Sequence, residues 1–353
     1  MAYYSASWQF FSILQYSYNF STDPTPVYLG QHGTDVASFA TGEPDGLWGA
    51  GVAPRANIRP YKVLPATGTS TDWGPVVYGL NQAYADGVSV VNMSFGNCGA
   101  LPPTSVAAAL QQFTSRVPVD AANPGIGVNL VASAGNGIYS VSGCSTTAPS
   151  YPGAYPQVLS VSAIDSVKSR GAYPDLSSGA TIDISAPGIC VNGLLVGGGA
   201  NPCIVGTSFA APHVSGIIAA IRAKYPTWSA SFVAQRLLAT ATPIPGQALP
   251  TDPRFGYGLL DPVAAVNVPA PSVSIAGPSS VRPNVLCTWT VSVSGGVPAY
   301  SYLWSPGGAT TSFVERSFTS SGTLSVTVTD QAAHYGQASK NVTVSANAPL
   351  CQV

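Results

Sequence analysis

The sequence is short of charge. Of 353 residues only 13 are Lys or Arg and 14 are Asp or Glu, 8% together, with a net charge of −1. An ordinary globular domain carries about 25%. No basic field is available to hold a nucleic-acid backbone or an anionic membrane surface, so neither partner is expected. Long apolar runs are also absent. A bilayer span needs ~18 such residues, and the longest helical apolar stretch, Val214 to Ile221, is broken by Ser215 and Gly216. No cluster of His, Cys and carboxylates stands at metal-ligand spacing, so no metal site is assigned. Low charge with low hydrophobicity would mean disorder, but 46% of the residues are hydrophobic and 10% aromatic. The expectation is a packed, monomeric protein whose surface is made of Ser, Thr, Asn, Gln and Gly.

Turn formers are plentiful, with 37 Gly and 31 Pro. The length suggests about two domains and ample chain for a large core. Six cysteines permit three disulfides, and with a charge-poor surface they read as an exported, extracellular protein. Met1 is not followed by a signal peptide: there is no basic start, and the apolar stretch Phe10 to Leu14 is short. Secretion is therefore expected from composition, with any leader outside this chain.

From Gly49 onward the pattern is regular. Strands are expected at Asn57 to Leu64, Ser89 to Phe95, Val128 to Ala134, Val158 to Ala163 and Thr181 to Ser185. Helices are expected at Trp73 to Asp86, ended by Gly87, at Ser105 to Phe113, at Ser208 to Tyr225 with Pro212 in its first turn, and at Ser229 to Ala241. Strands apolar on both faces that alternate with helices predict an α/β fold, a parallel sheet with helices on both faces. The character changes at Val268-Pro269-Ala270-Pro271. Beyond it, short strands separated by Gly and Pro turns predict a small all-β sandwich over 268–353, after an α/β domain over 1–267.

Three segments carry chemistry: His32-Gly33-Thr34-Asp35-Val36-Ala37, Val131-Ala132-Ser133-Ala134-Gly135-Asn136, and Gly206-Thr207-Ser208-Phe209-Ala210-Ala211-Pro212-His213. Each places a polar side chain where a strand ends or a helix begins, and sites in parallel α/β sheets form at the carboxyl ends of strands. A serine at a helix start has unpaired backbone N–H groups around it and a dipole that favours developing negative charge. Such a nucleophile needs a base, for which His32 is the candidate. Asn136, after an apolar strand and a glycine, is suited to donate to an oxyanion; its bland alternative is a left-handed turn beside Gly135. His213 reads as a core histidine and His334 as a surface residue of the sandwich.

These segments resemble the histidine, oxyanion-hole and serine boxes of the subtilisin-like serine proteases, peptidase family S8. Gly51-Val52-Ala53-Pro54, Val90-Val91-Asn92-Met93-Ser94-Phe95-Gly96, Ala186-Pro187-Gly188 and Phe255-Gly256-Tyr257-Gly258-Leu259-Leu260-Asp261 are similar to further boxes, in family order, over about residues 20 to 266. Gly295 to Trp304 resembles the PKD/Ig-like domains appended to secreted hydrolases. The resemblance implies Ser208 as nucleophile, His32 as general base and then acid, and Asn136 with the Ser208 N–H as oxyanion donors. It implies that Ser94, Phe95 and Gly96 form an edge pairing with an extended polypeptide substrate, and that Ala132, Ser133, Ala134 and Gly135 line the pocket for the residue before the cut. Tyr151-Pro152 resembles a family position with a cis bond. Family members also bind calcium through loop oxygens, but no Asp-rich loop assigns such a site here. Of the 15 pairings open to six cysteines, Cys98–Cys144, Cys190–Cys203 and Cys287–Cys351 are expected.

The resemblance leaves one member out. The family's Asp precedes its His by about 32 residues; counting back from His32 ends ahead of Met1, and residues 1–22 contain no Asp or Glu. Asp23 is too near His32 in sequence, and Asp35 stands where the family has a second histidine. Its own expected role is that of an acidic residue in a helix's first turn. In a member of the family, loss of the triad Asp lowers turnover about 3 × 10⁴-fold. Two readings follow: a serine endopeptidase of weak activity as written, or a pseudoprotease that binds peptide or polysaccharide without cutting.

Overall fold

The computed structural model describes residues 18–19, 21, 30–44, 50–65, 72–99, 101–114, 127–137, 148–169, 182–332 and 334–351. The chain forms two compact units, Met1–Val266 and Asn267–Val353.

In the first unit the elements run β1 (Tyr18–Asn19), α1 (Gln31–Thr41), β2 (Tyr61–Lys62), α2 (Gly74–Asp86), β3 (Val90–Met93), β4 (Asn97–Cys98), α3 (Thr104–Gln111), β5 (Asn129–Ser133), β6 (Ser150–Tyr151), β7 (Val158–Ile164), β8 (Ile184–Pro187), β9 (Ile189–Leu194), β10 (Ala200–Val205), α4 (Thr207–Lys224), α5 (Ala230–Thr240) and α6 (Pro262–Val266). The central sheet has the order β3-β5-β7-β8, every pair parallel. Strands β5 and β7 are buried at every residue, as a sheet covered on both faces requires. A second parallel pair, β1 with β2, stands apart from it. The expected strand over 57–64 is reduced to Tyr61–Lys62. Pro60 breaks that run, because proline has no N–H to give a ladder.

Helix α4 runs along the sheet and packs on β3, β5, β7, β8 and α1. Of its residues, 13 of 18 are buried, so it reads as apolar all round rather than as a one-faced surface helix. Gly216 makes this contact close: a Cβ there would meet Val52 at 2.7 Å. Pro212 lies inside the helix, past its first turn rather than in it. On the opposite face α2 and α3 pack together over Met93, Leu130 and Ala132. The buried guanidinium of Arg222 ties three elements by donating to Asn129 Oδ1 (2.9 Å) and to the carbonyls of Trp228 (3.0 Å) and Gly127 (3.0 Å).

Among its described residues the elements of the second unit are all strands: β11 (Ser272–Ala276), β12 (Ser280–Val281), β13 (Cys287–Ser294), β14 (Ser301–Ser305), β15 (Phe313–Arg316), β16 (Gly322–Thr329) and β17 (Tyr335–Val344). They form sheets β11-β13-β15 and β12-β17-β16-β14 around one core with Trp289, Trp304, Leu324 and Val326. The alternating buried and exposed residues of β16 show one face on that core and one in solvent. His334 is half-buried beside Asp330, whose Oδ1 accepts from its backbone N–H at 2.8 Å. Cys287 is bonded to Cys351.

Candidate active site

Ser208 is the second residue of α4, 9% exposed, where helix N–H groups lack intrahelical partners. Its position is fixed from below by a chain of hydrogen bonds. Ser215 Oγ donates to Asn92 Oδ1 (2.9 Å), Asn92 Nδ2 to Ser94 Oγ (2.9 Å), and Ser94 Oγ to the Ser208 carbonyl (2.7 Å). Sequence reasoning missed Asn92 and Ser215. The available signal was a polar residue inside the apolar run Val90 to Met93, since a buried polar group must find a partner.

Asn136 follows β5. Its amide oxygen accepts from the Thr207 N–H (2.9 Å) and from Thr207 Oγ1 (2.8 Å). Thr207 Oγ1 in turn accepts from the Gly135 N–H (3.2 Å). With the oxygen so engaged, the amide NH₂ points the other way, to the side of Gly206, where it lies 3.5 Å from the position of an added Cβ. Thr207 was not anticipated from the sequence either.

His32 lies in the first turn of α1 and contacts the ring of Phe209, the residue after Ser208, at 5.6 Å. Protein packed around the imidazole lowers its pKa, while the Asp35 charge pulls the other way. The ring is open to the cleft, so water tempers the burial effect. His213, one turn past Phe209, donates from Nδ1 to the Phe209 carbonyl at 2.8 Å and stacks on Phe39; burial lowers its pKa, and that hydrogen bond opposes the fall.

Asp35 differs from its expected role. It is 2% exposed and sits beyond the first turn of α1. Gln31 Nε2 donates to its Oδ2 (3.0 Å), and Asn201 Nδ2 to both oxygens (3.2 and 3.0 Å). Burial raises its pKa, and those hydrogen bonds, the His32 charge and the Leu194 backbone oppose the rise. The β9–β10 hairpin, closed by Cys190–Cys203, is thus locked onto α1. Gly193 is required there, because a Cβ would overlap the Asp35 carboxylate. The carboxylate serves the hairpin and is held away from use as a free partner of the imidazole.

His32, Asn136 and Ser208 line one cavity, together with Ser94, Phe95, Gly96, Ser133 and Gly135. Ser133 Oγ donates to the Phe95 carbonyl at 3.4 Å, linking the two rim segments. Gly96 lets the rim approach β6, since a Cβ would stand 2.8 Å from Ser150 Oγ and 2.9 Å from the Tyr151 carbonyl. Ala132 and Ala134 are not on that wall. Ala132 is 0% exposed inside the core under α2 and α3, and Ala134, just past β5, is 3% exposed. The Tyr151–Pro152 bond is cis. Cys98 is disulfide-bonded; Cys144 lies outside the described residues. Among the described residues no group of three or more His, Cys, Asp or Glu is placed to hold a metal ion, and no helix is long and apolar enough to cross a membrane.

Residues 9–258 match the model of the subtilase family, peptidase S8. The chain belongs to the subtilase family. It is 34% identical over 234 residues to subtilisin E of Bacillus subtilis (strain 168), covering 66% of this chain and 55% of that protein. It is 36% identical over 234 residues to subtilisin DY of Bacillus licheniformis, covering 66% and 77%. The chain thus spans about half the length of some curated relatives it matches. Among solved structures it is similar to Sphericase, with TM-score 0.56 and 31% identity over 69% of this chain and 82% of that one. The self-cleaved protease domain of PatA gives TM-score 0.53 at 26% identity, over 72% and 89%. The subtilase match covers the first unit and leaves the β-strand unit outside it.

Proposed function

We propose that this subtilase chain is a serine endopeptidase that hydrolyses peptide bonds in extracellular polypeptides. Ser208 Oγ attacks the scissile carbonyl carbon as its proton passes to His32. The Asn136 NH₂ and the Ser208 N–H receive the oxyanion, and His32 then returns the proton to the leaving amine. Water attacks the acyl-enzyme by the same route, releasing the acid and freeing Ser208. The observation that carries the reading is the Asn136 amide, turned by Thr207 so that its donor is free at the start of the helix bearing Ser208. Ser94, Phe95 and Gly96 on one side, with Ser133 and Gly135 on the other, are suited to hold an extended substrate by backbone pairing.

The reading includes weak activity, from the engagement of Asp35 elsewhere. The carboxylate nearest His32 in sequence, Asp35, is engaged with Gln31 and Asn201; among the described residues no other carboxylate is placed against the imidazole, and without such a partner its tautomer is not fixed. That engagement also favours the second reading, a pseudoprotease that binds peptide or polysaccharide. We infer that the second unit is a PKD/Ig-like sandwich with a protein or polysaccharide ligand, that the disulfides suit an extracellular setting, and that the chain acts as a monomer. Incubation with a fluorophosphonate probe decides between the two readings: label on Ser208 supports the enzyme, and a folded chain that takes none supports the binding protein.

A further inference from the structure

Helix α1 carries His32 on its first turn, yet its own sequence does little to fasten that end. Gly30 at the N-cap offers no side chain, and the first turn holds no acidic residue. A helix start without such groups is loosely held. His32 is exposed, and among the described residues its ring contact is Phe209 at 5.6 Å. Its aim at Ser208 therefore depends on how the α1 backbone is fixed. The fastening comes from the β9–β10 hairpin, on both sides of His32. Before it, Gln31 donates from Nε2 to the Leu194 carbonyl (2.8 Å) and accepts at Oε1 from the Val196 N–H (2.9 Å). After it, Asn201 Nδ2 donates to the Asp35 carboxylate, which Gln31 Nε2 also reaches at 3.0 Å.

The hairpin is itself weakly laddered. Ala200 pairs with Leu194 and Asn201 with Gly193, and the register then shifts before Ile204 pairs with Val191. The turn holds Gly197 to Gly199, with φ between 90° and 108°, so the tip brings little stiffness of its own. Cys190–Cys203 closes the hairpin across the register shift. Both cysteines are exposed, whereas Cys287, bonded to Cys351, is 2% exposed. Both also have left-handed backbone, at φ 55° and 52°. A residue with a Cβ disfavours that conformation and keeps it only where its surroundings impose it. Here the covalent link between the two strands imposes it.

We propose that the disulfide-closed hairpin is a clamp that positions the general base, with Gln31 and Asn201 as positioning residues and Cys190–Cys203 as a catch that a dithiol opens. The proposal rests on His32 acting on Ser208, as the protease reading has it. A dithiol passes two electrons and two protons to the bridge. The S–S bond breaks, Cys190 and Cys203 become thiols, and the dithiol closes to a cyclic disulfide. Both cysteines then leave left-handed backbone, and the part of the hairpin bearing Asn201 loses its covalent tie. Gln31 and Asp35 lose their partners, and the start of α1 is no longer held. Misplacing a reacting group by about an ångström costs ~10²-fold in rate.

The test treats the full chain with dithiothreitol and compares it with three variants: Cys190→Ser/Cys203→Ser, Asn201→Asp, and the swap Asp35→Asn/Asn201→Asp. Fluorophosphonate labelling of Ser208 reads the rate. Hydrogen exchange reads the clamp at the Val196 and Asp35–Ser38 amides, and slow exchange at Asn129–Ser133 shows that the central sheet stays folded. Dithiothreitol and the double serine variant should each slow labelling at least ~10-fold and speed exchange at Val196 and Asp35–Ser38. Asn201→Asp sets two carboxylates together and should do the same. The swap restores a donor facing an acceptor and should recover most of the rate, which a general loss of stability would not. On a peptide substrate the loss should fall on kcat and leave KM nearly unchanged. Unchanged exchange at Val196 and Asp35–Ser38 after dithiothreitol overturns the clamp, whatever Ser208 does. Faster exchange there with undiminished labelling overturns its role in positioning His32. A further effect of dithiothreitol on the double serine variant, as large as on the full chain, overturns the assignment to this bridge. Faster exchange in a chain whose Ser208 takes no label under any condition sustains the hold on α1 and removes the protease reading alone.

Discussion

The Asn136 amide oxygen accepts two hydrogen bonds from Thr207, one from its N–H and one from its hydroxyl. This pair sets which way the amide faces. Replacing Asn136 with Ala should slow acylation of Ser208 by about 10²–10³-fold, the usual cost of an oxyanion donor. Thr207→Val keeps shape and removes one of the two bonds, so its loss should be smaller. Both should lower kcat with KM nearly unchanged, since the donor acts in the transition state. Steady-state kinetics on a peptide substrate checks the split.

The general base must be neutral to accept a proton. Packing lowers the His32 pKa from 6.5 while the Asp35 charge supports imidazolium. The rate of Ser208 labelling should therefore reach half its plateau below pH 6.5. Asp35→Asn removes the supporting charge and should move that midpoint further down. A pH profile of labelling in the two proteins reads both shifts.

Asp252 is 3% exposed and receives two bonds from the Arg254 side chain, at 2.9 and 2.8 Å. That guanidinium holds its carboxyl well below the usual carboxylate range; burial opposes, and the Ala248 and Arg254 N–H groups add to the lowering. A carboxyl more acidic folded than unfolded stabilises the fold above the unfolded value of about 3.9, and the gain drains away as pH falls through the folded value. Asp252→Asn should cost ~2 kcal/mol at pH 7. The gap to the unsubstituted protein should narrow only below about pH 4, measured by urea unfolding across pH.

Arg222→Ala should destabilise the first unit by about 3 kcal/mol, because Asn129 and the Gly127 and Trp228 carbonyls lose a buried donor. Thermal unfolding checks it. The His32 titration midpoint should not move, which separates this scaffold role from one in the site.

The helices and buried strands were legible because their apolar spacing and stops are local. Gly87 does end α2, in a left-handed conformation at φ 70°. The β9–β10 hairpin was not legible: Gly193 and the run Gly197 to Gly199 interrupt any alternation, and its place is set by Asp35, 166 residues from Asn201. The same distance hid the fate of Asp35, whose partners are tertiary rather than helical. The boxes located His32, Asn136 and Ser208 in the sequence, and all three line one cavity. Thr207, Asn92 and Ser215 escaped because their work is to orient others. Ala132 was expected on the pocket wall from its place near Asn136, but it is packed into the core under α2 and α3.

The most direct measurement is mass-spectrometric mapping of fluorophosphonate label on the folded chain, with His32→Ala as its control. The account predicts label on Ser208, acquired more slowly than by subtilisin E under the same conditions and lost in His32→Ala. A folded chain that takes no label at Ser208, or labels as fast without His32, contradicts it.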